Sequence, residues 1–157
     1  MQGHSMIAAV DLGSNSFHLQ VARVVGDQIY PLDSLREPVR IGAGLTADKR
    51  LDEAAQQRAL AALAQFGERL RGLPPEAVRA VGTNTLRVAR NAREFLARAR
   101  GVLGFPIEVV AGREEARLIY LGVAHGLPPS PERRLVNFCP ACQRSASRPR
   151  ACPRSCT

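Results

Sequence analysis

The sequence predicts an α/β fold, a mixed sheet of about five strands flanked by helices. Two apolar runs flank a short polar turn near the start, as in an antiparallel hairpin. Further along, short apolar runs alternate with segments of helical period, the pattern of parallel strands joined by crossover helices. At 157 residues the chain is long enough for one domain with a core of its own.

The hairpin is the stretch from Ala8 to Val25, in which Ala8-Ala9-Val10-Asp11-Leu12 and Phe17-His18-Leu19-Gln20-Val21 enclose Gly13-Ser14-Asn15-Ser16. Gln28 to Leu35 reads as a third strand, and Pro31 within it suits a sheet edge. Val39 to Thr46 is a glycine-containing loop. Leu51, Ala55, Ala59, Leu63, Phe66, Leu70 and Leu73 then recur at helical steps. Asp52 and Glu53 favour the start of that helix and Arg69 and Arg71 its end, before Gly72 and Pro74-Pro75 stop it.

Val78 to Val81 is a short strand that runs into Gly82-Thr83-Asn84-Thr85. Leu86 to Leu103 marks a second helix with a break near Asn91, Phe105 to Val110 a last strand, and Gly112 to Val123 a third helix. Ligands of such sheets sit at the C-terminal ends of the parallel strands. Three turns are therefore expected at one rim: residues 11–16, 82–87 and 111–117.

The chemistry of that rim points to phosphoryl groups. Amides and hydroxyls of Gly13, Ser14, Asn15 and Ser16 suit an anion, and Asp11 at the strand end suits a divalent cation held against it. Thr83 and Asn84 add polar groups, and Arg87 lies within a turn of them, where a guanidinium can grip phosphate oxygens in pairs. Glu114 and Glu115 open the third helix, where an acid is stabilising in its own right; either also suits a general base or metal ligand. No Gly-Lys-Ser/Thr follows the first turn, so it is not a Walker-type loop.

The net charge is +8, but Arg144, Arg148, Arg150 and Arg154 supply half of it in a tail without acids. Aromatic residues are only 4% of the chain, too few to interleave with the basic residues as stacking platforms, so nucleic acid is not expected as a partner. No apolar run is long enough to span a membrane and no secretory leader opens the chain, so a cytoplasmic location is expected. Residues 1–6 read as a tag remnant or disordered start. His18 reads as a packing or hydrogen-bonding residue and His125 as helix-exit surface. Cys139, Cys142, Cys152 and Cys156 have spacing too loose, in a segment too polar, for a zinc site.

Three segments carry a closer likeness: Ala9-Val10-Asp11-Leu12-Gly13-Ser14-Asn15-Ser16-Phe17-His18, Val81-Gly82-Thr83-Asn84-Thr85-Leu86-Arg87 and Gly112-Arg113-Glu114-Glu115-Ala116-Arg117-Leu118-Ile119. In order and spacing the chain resembles the N-terminal domain of the exopolyphosphatase and guanosine pentaphosphate phosphohydrolase family over residues 7–136. The resemblance implies an RNase H-like lobe of the actin, heat-shock chaperone ATPase and sugar kinase superfamily. It implies hydrolysis of the terminal phosphate of polyphosphate, or of the 5′-phosphate of guanosine pentaphosphate, with Mg2+ as cofactor. By the same resemblance residues 11–16 form the first phosphate-binding loop, Asp11 and Glu115 hold the metal, Glu115 activates water, and Arg87 lies near the scissile phosphate. Full-length relatives imply a homodimer.

After Val136 the family pattern continues into a second phosphate loop, whereas Asn137-Phe138-Cys139-Pro140 opens an Arg/Pro/Cys-rich segment. The expectation is that residues 137–157 are disordered or frameshifted, that the chain is truncated before the second loop, and that hydrolysis by it alone is weak or absent. The alternatives are a non-catalytic phosphate-binding fragment and a lobe of a related acetate or sugar kinase, which would lack the Glu-Glu-Ala-Arg run.

Overall fold

The computed structural model describes residues 5–125. Within them the chain divides into two compact units, one ending at Gly112 and one beginning at Arg113.

The first unit is built on strands β1 (Ser5–Leu12), β2 (Phe17–Val25), β3 (Gln28–Glu37), β4 (Val78–Gly82) and β5 (Ile107–Val109). They form one sheet in the order β3-β2-β1-β4-β5. β1 runs antiparallel to β2 and parallel to β4, and β5 is parallel to β4. This is a mixed, RNase H-like sheet. Ser5 and Met6 already pair with Val24 and Arg23, so the sheet starts before the expected boundary at residue 7. β3 is an edge strand, which accommodates Pro31 beside a register shift at Val21/Ala22.

Alternation decides which face is covered. Ala8, Val10 and Leu12 of β1 are buried with Phe17, Leu19 and Val21 of β2 and with Val78 and Ala80 of β4. The register puts them side by side, Val10 between Leu19 and Ala80. Helices α1 (Glu53–Leu70) and α3 (Ala92–Leu103) complete this core through Leu63, Phe66, Leu70, Phe95, Ala99 and Leu103. Asp11, Gln20, Arg79 and Glu108 stand at the opposite parity and are exposed.

Asp52 caps α1, its Oδ1 accepting from the Ala55 amide at 2.6 Å. The break expected near Asn91 is present: a short helix α2 (Asn84–Val88) ends before α3 begins at Ala92. Asn84 and Thr85 thus belong to a helix rather than to a loop. The buried Asn91 amide clips the two halves of the unit together. Its Oδ1 accepts from the Leu51 amide at 2.8 Å and its Nδ2 donates to the Leu51 carbonyl at 3.0 Å. Gln56 Nε2 donates to the same carbonyl at 3.1 Å.

The described part of the second unit is helix α4, Gly112–His125, whose first residue closes the first unit. No helix among the described residues is long and apolar enough to cross a membrane. The cysteine-containing tail lies outside the described residues.

Candidate functional site

Two of the three expected turns meet at the C-terminal ends of β1 and β4. Leu12 and Gly82 are register partners, so the turns that leave them start side by side. Thr85 Oγ1 donates to Ser14 Oγ at 2.7 Å. Thr83 is buried, and its amide and hydroxyl both donate to the Leu12 carbonyl at 3.4 Å. Thr83 therefore splices the strand ends, while Thr85, which the sequence did not single out, reaches the hydroxyl of the turn.

Residues 13–16 are shaped by a close approach. A Cβ on Gly13 would lie 2.9 Å from the Ser16 carbonyl oxygen, closer than a side chain tolerates, and 3.8 Å from Asp11 Oδ2. The turn is thus tight enough to require glycine, and the Asp11 carboxylate adjoins it. Asp11 and Asn15 are exposed, Ser14 is half-buried and Ser16 is buried.

A 3-10 turn, Ile41–Gly44, packs against the turn of residues 13–16. Gly42 N donates to the Ser14 carbonyl at 2.9 Å and Arg40 N to the Asn15 carbonyl at 2.8 Å. A Cβ on Gly42 would come within 3.2 Å of Thr85 Oγ1 and 3.3 Å of Ser14 Cβ, so the backbone slots between the two hydroxyl-bearing residues. Arg36 of β3 donates from Nε and Nη2 to Ser16 Oγ, each at 3.3 Å. Neither Arg36 nor Arg40 is conspicuous in sequence; both arrive through strand pairing and loop packing.

Arg87 of α2 bridges toward β5. Its Nη1 donates to the Val110 carbonyl at 2.9 Å and its Nη2 to Asn84 Oδ1 at 3.5 Å. A Cβ on Gly112 would stand 3.8 Å from Arg87 Nη2. The third turn therefore reaches the rim as far as Gly112. Beyond it, Glu114 and Glu115 lie in the first turn of α4 and are half-buried. Glu114 is gripped in a two-bond fork by Arg117, at 2.9 and 2.8 Å, which raises the Arg117 pKa.

The electrostatics at the rim are mixed. Arg36, Arg40 and Arg87 contribute positive charge around the two turns and Asp11 negative charge. His18, whose Cα partners are Asp11 on β1 and Arg36 on β3, has its pKa lowered, first by burial and then by the Arg36 charge. Among the described residues no group of three or more His, Cys, Asp or Glu is placed to cage a metal. A magnesium ion does not need one, since it binds through one or two carboxylates together with phosphate oxygens and water. The Asp11 carboxylate, exposed beside a turn of small polar residues, is a donor of that kind.

The fold is a lobe of the RNase H-like class in which two polar turns meet at the C-terminal ends of β1 and β4. The model of the Ppx/GppA phosphatase family matches residues 20–137, and the chain belongs to that family. Among solved structures, the chain is similar to the Aquifex aeolicus PPX-GPPA enzyme, at 29% identity and a TM-score of 0.74, over 81% of this chain and 42% of that one. It is similar to an exopolyphosphatase from Cytophaga hutchinsonii, at 31% identity and a TM-score of 0.71, over 77% of this chain and 39% of that one. An exopolyphosphatase-like protein matches at 32% identity and a TM-score of 0.67, over 72% of this chain and 34% of that one. The chain thus spans well under half the length of these structures.

Proposed function

We propose that this chain is the phosphate-binding lobe of an exopolyphosphatase-type hydrolase, acting on the terminal phosphoryl group of inorganic polyphosphate or on the 5′-phosphate of guanosine pentaphosphate. The observation that carries the reading is the Thr85 to Ser14 hydrogen bond, which joins the turns after β1 and β4 into one rim. A terminal phosphate would sit against the Gly13, Ser14, Asn15 and Ser16 turn, with Asn84 and Arg87 on its other side. Arg87, already oriented by the Val110 carbonyl and Asn84, supplies positive charge where negative charge builds up during phosphoryl transfer.

In this reading Asp11 and Glu115 are the ligands of a magnesium ion, and Glu115 takes the proton of the attacking water. The ion would neutralise phosphate oxygens and polarise the bond to be broken. Glu114, engaged by Arg117, is left to stabilise the start of α4. The family assignment supports hydrolysis over phosphoryl transfer to a sugar or acetate. Function in the cytoplasm and as a homodimer belong to the same reading.

Binding is the first property to test, because the described residues supply one such turn and catalysis rests on charges arranged all round the transferred group. Calorimetric titration of the chain with polyphosphate and magnesium is expected to show saturable binding. Ser14→Ala with Arg87→Ala should weaken it by at least an order of magnitude, as lost charge-assisted bonds do. Absence of binding by the unaltered chain would overturn the proposal. Orthophosphate release, measured alongside, is expected to be weak, and full turnover by the chain alone would overturn that part.

A further inference from the structure

We propose that Arg40 is a specificity residue, contacting the second phosphoryl group of a condensed phosphate whose terminal group is held by residues 13–16. The inference rests on the reading above and names a residue outside the two phosphate-facing turns.

Arg40 adopts a left-handed backbone conformation, with φ 50° and ψ 45°, which side chains of L-residues rarely take. Its neighbours impose that geometry. Val39 and Ile41 are both buried, and the Val39 carbonyl accepts from Arg58 Nε at 3.3 Å. Between these two anchors Arg40 N donates to the Asn15 carbonyl. Glycine would satisfy all of this without strain. The arginine side chain, in contrast, is exposed and has no hydrogen-bond or ion-pair partner among the described residues.

Lys49 has a similar φ, 58°, so the conformation alone does not single Arg40 out. Lys49, however, closes a surface turn through its amide and the Thr46 carbonyl. Arg40 is hydrogen-bonded to the phosphate turn itself. Arg36, on the other flank, is occupied with Ser16 Oγ. Arg40 is thus a cation anchored to the turn by its backbone and uncommitted in its side chain. A single phosphate fills the turn, whereas a linear polyphosphate has a second charged group that must lie beyond it. A guanidinium there favours the longer anion and adds little for orthophosphate.

The test is calorimetric titration of the full chain, with magnesium, against sodium orthophosphate and sodium tripolyphosphate. Arg40→Gly relieves the backbone, so the variant should unfold at the same temperature or higher. It is expected to bind tripolyphosphate about tenfold more weakly and orthophosphate within about twofold, with Arg40→Lys in between. An unchanged ratio of the two affinities in Arg40→Gly would refute the role of Arg40 and leave the lobe's phosphate binding intact. An unaltered chain that binds neither anion would sink both readings together.

Discussion

Thr85 and Ser14 are hydrogen-bonded, Oγ to Oγ, across 71 residues of sequence. The bond fixes the spacing of the two turns. Each hydroxyl can donate once and accept twice, so the pair keeps hydrogen-bonding capacity for a ligand. Thr85→Val keeps the shape of the side chain and removes the donor. It should cost about 0.5–1.5 kcal/mol in urea unfolding and weaken phosphate binding several-fold. Unaltered affinity in a destabilised variant would make the bond purely architectural.

Gly13→Ala puts a methyl group 2.9 Å from a backbone oxygen, where no flexible side chain can give way. The turn must open, with an expected loss of about 1–3 kcal/mol from overpacking. Phosphate affinity should fall with it. Equilibrium denaturation and phosphate titration of the same sample would show whether the two losses coincide.

Asn91→Ala tests the clip at Leu51. The Leu51 carbonyl keeps Gln56 Nε2, but the buried Leu51 amide loses the acceptor seen here. A cost of about 1–3 kcal/mol is expected for the stranded donor. Urea midpoints would read it, and phosphate affinity should change less than in Gly13→Ala.

His18 predicts a pH dependence of stability. Its folded pKa lies below the ordinary 6.5 because burial and the Arg36 charge both disfavour the imidazolium. Above that value folded and unfolded chains are both neutral at this site. As the pH falls below it, the unfolded chain takes up a proton first and stability declines, levelling off once the folded residue is protonated too. His18→Gln should flatten this part of the pH profile of the thermal midpoint. A slope unchanged by the substitution would assign the effect to other groups.

Much of the fold is legible in the sequence because local periodicity and tertiary burial agree. Val10, Leu19 and Ala80 are buried between less buried neighbours along strands whose one face is covered. Asp52, Gly72 and Asn91 mark where helices start, stop and break. That the turns after β1 and β4 share a rim was legible, since parallel strands end together; which side chains bond to which across it was not. Thr83 and Thr85 look alike in sequence, yet one is turned under the sheet edge and the other toward Ser14, a difference set by packing 71 residues away. Arg36 and Arg40 were silent for a related reason. Their place beside Ser16 and Asn15 follows from strand register and from a left-handed residue, neither of which leaves a periodic trace.

β1 and β4 lie side by side at the middle of the sheet, and Leu12 and Gly82 end together there. An anion gripped by both would act as a rivet through the middle of the sheet, tying segments that the chain itself joins only by a long detour. Loading the rim should therefore slow amide exchange along the inner strands as well as at the lip, while the outer strand β3 is affected least.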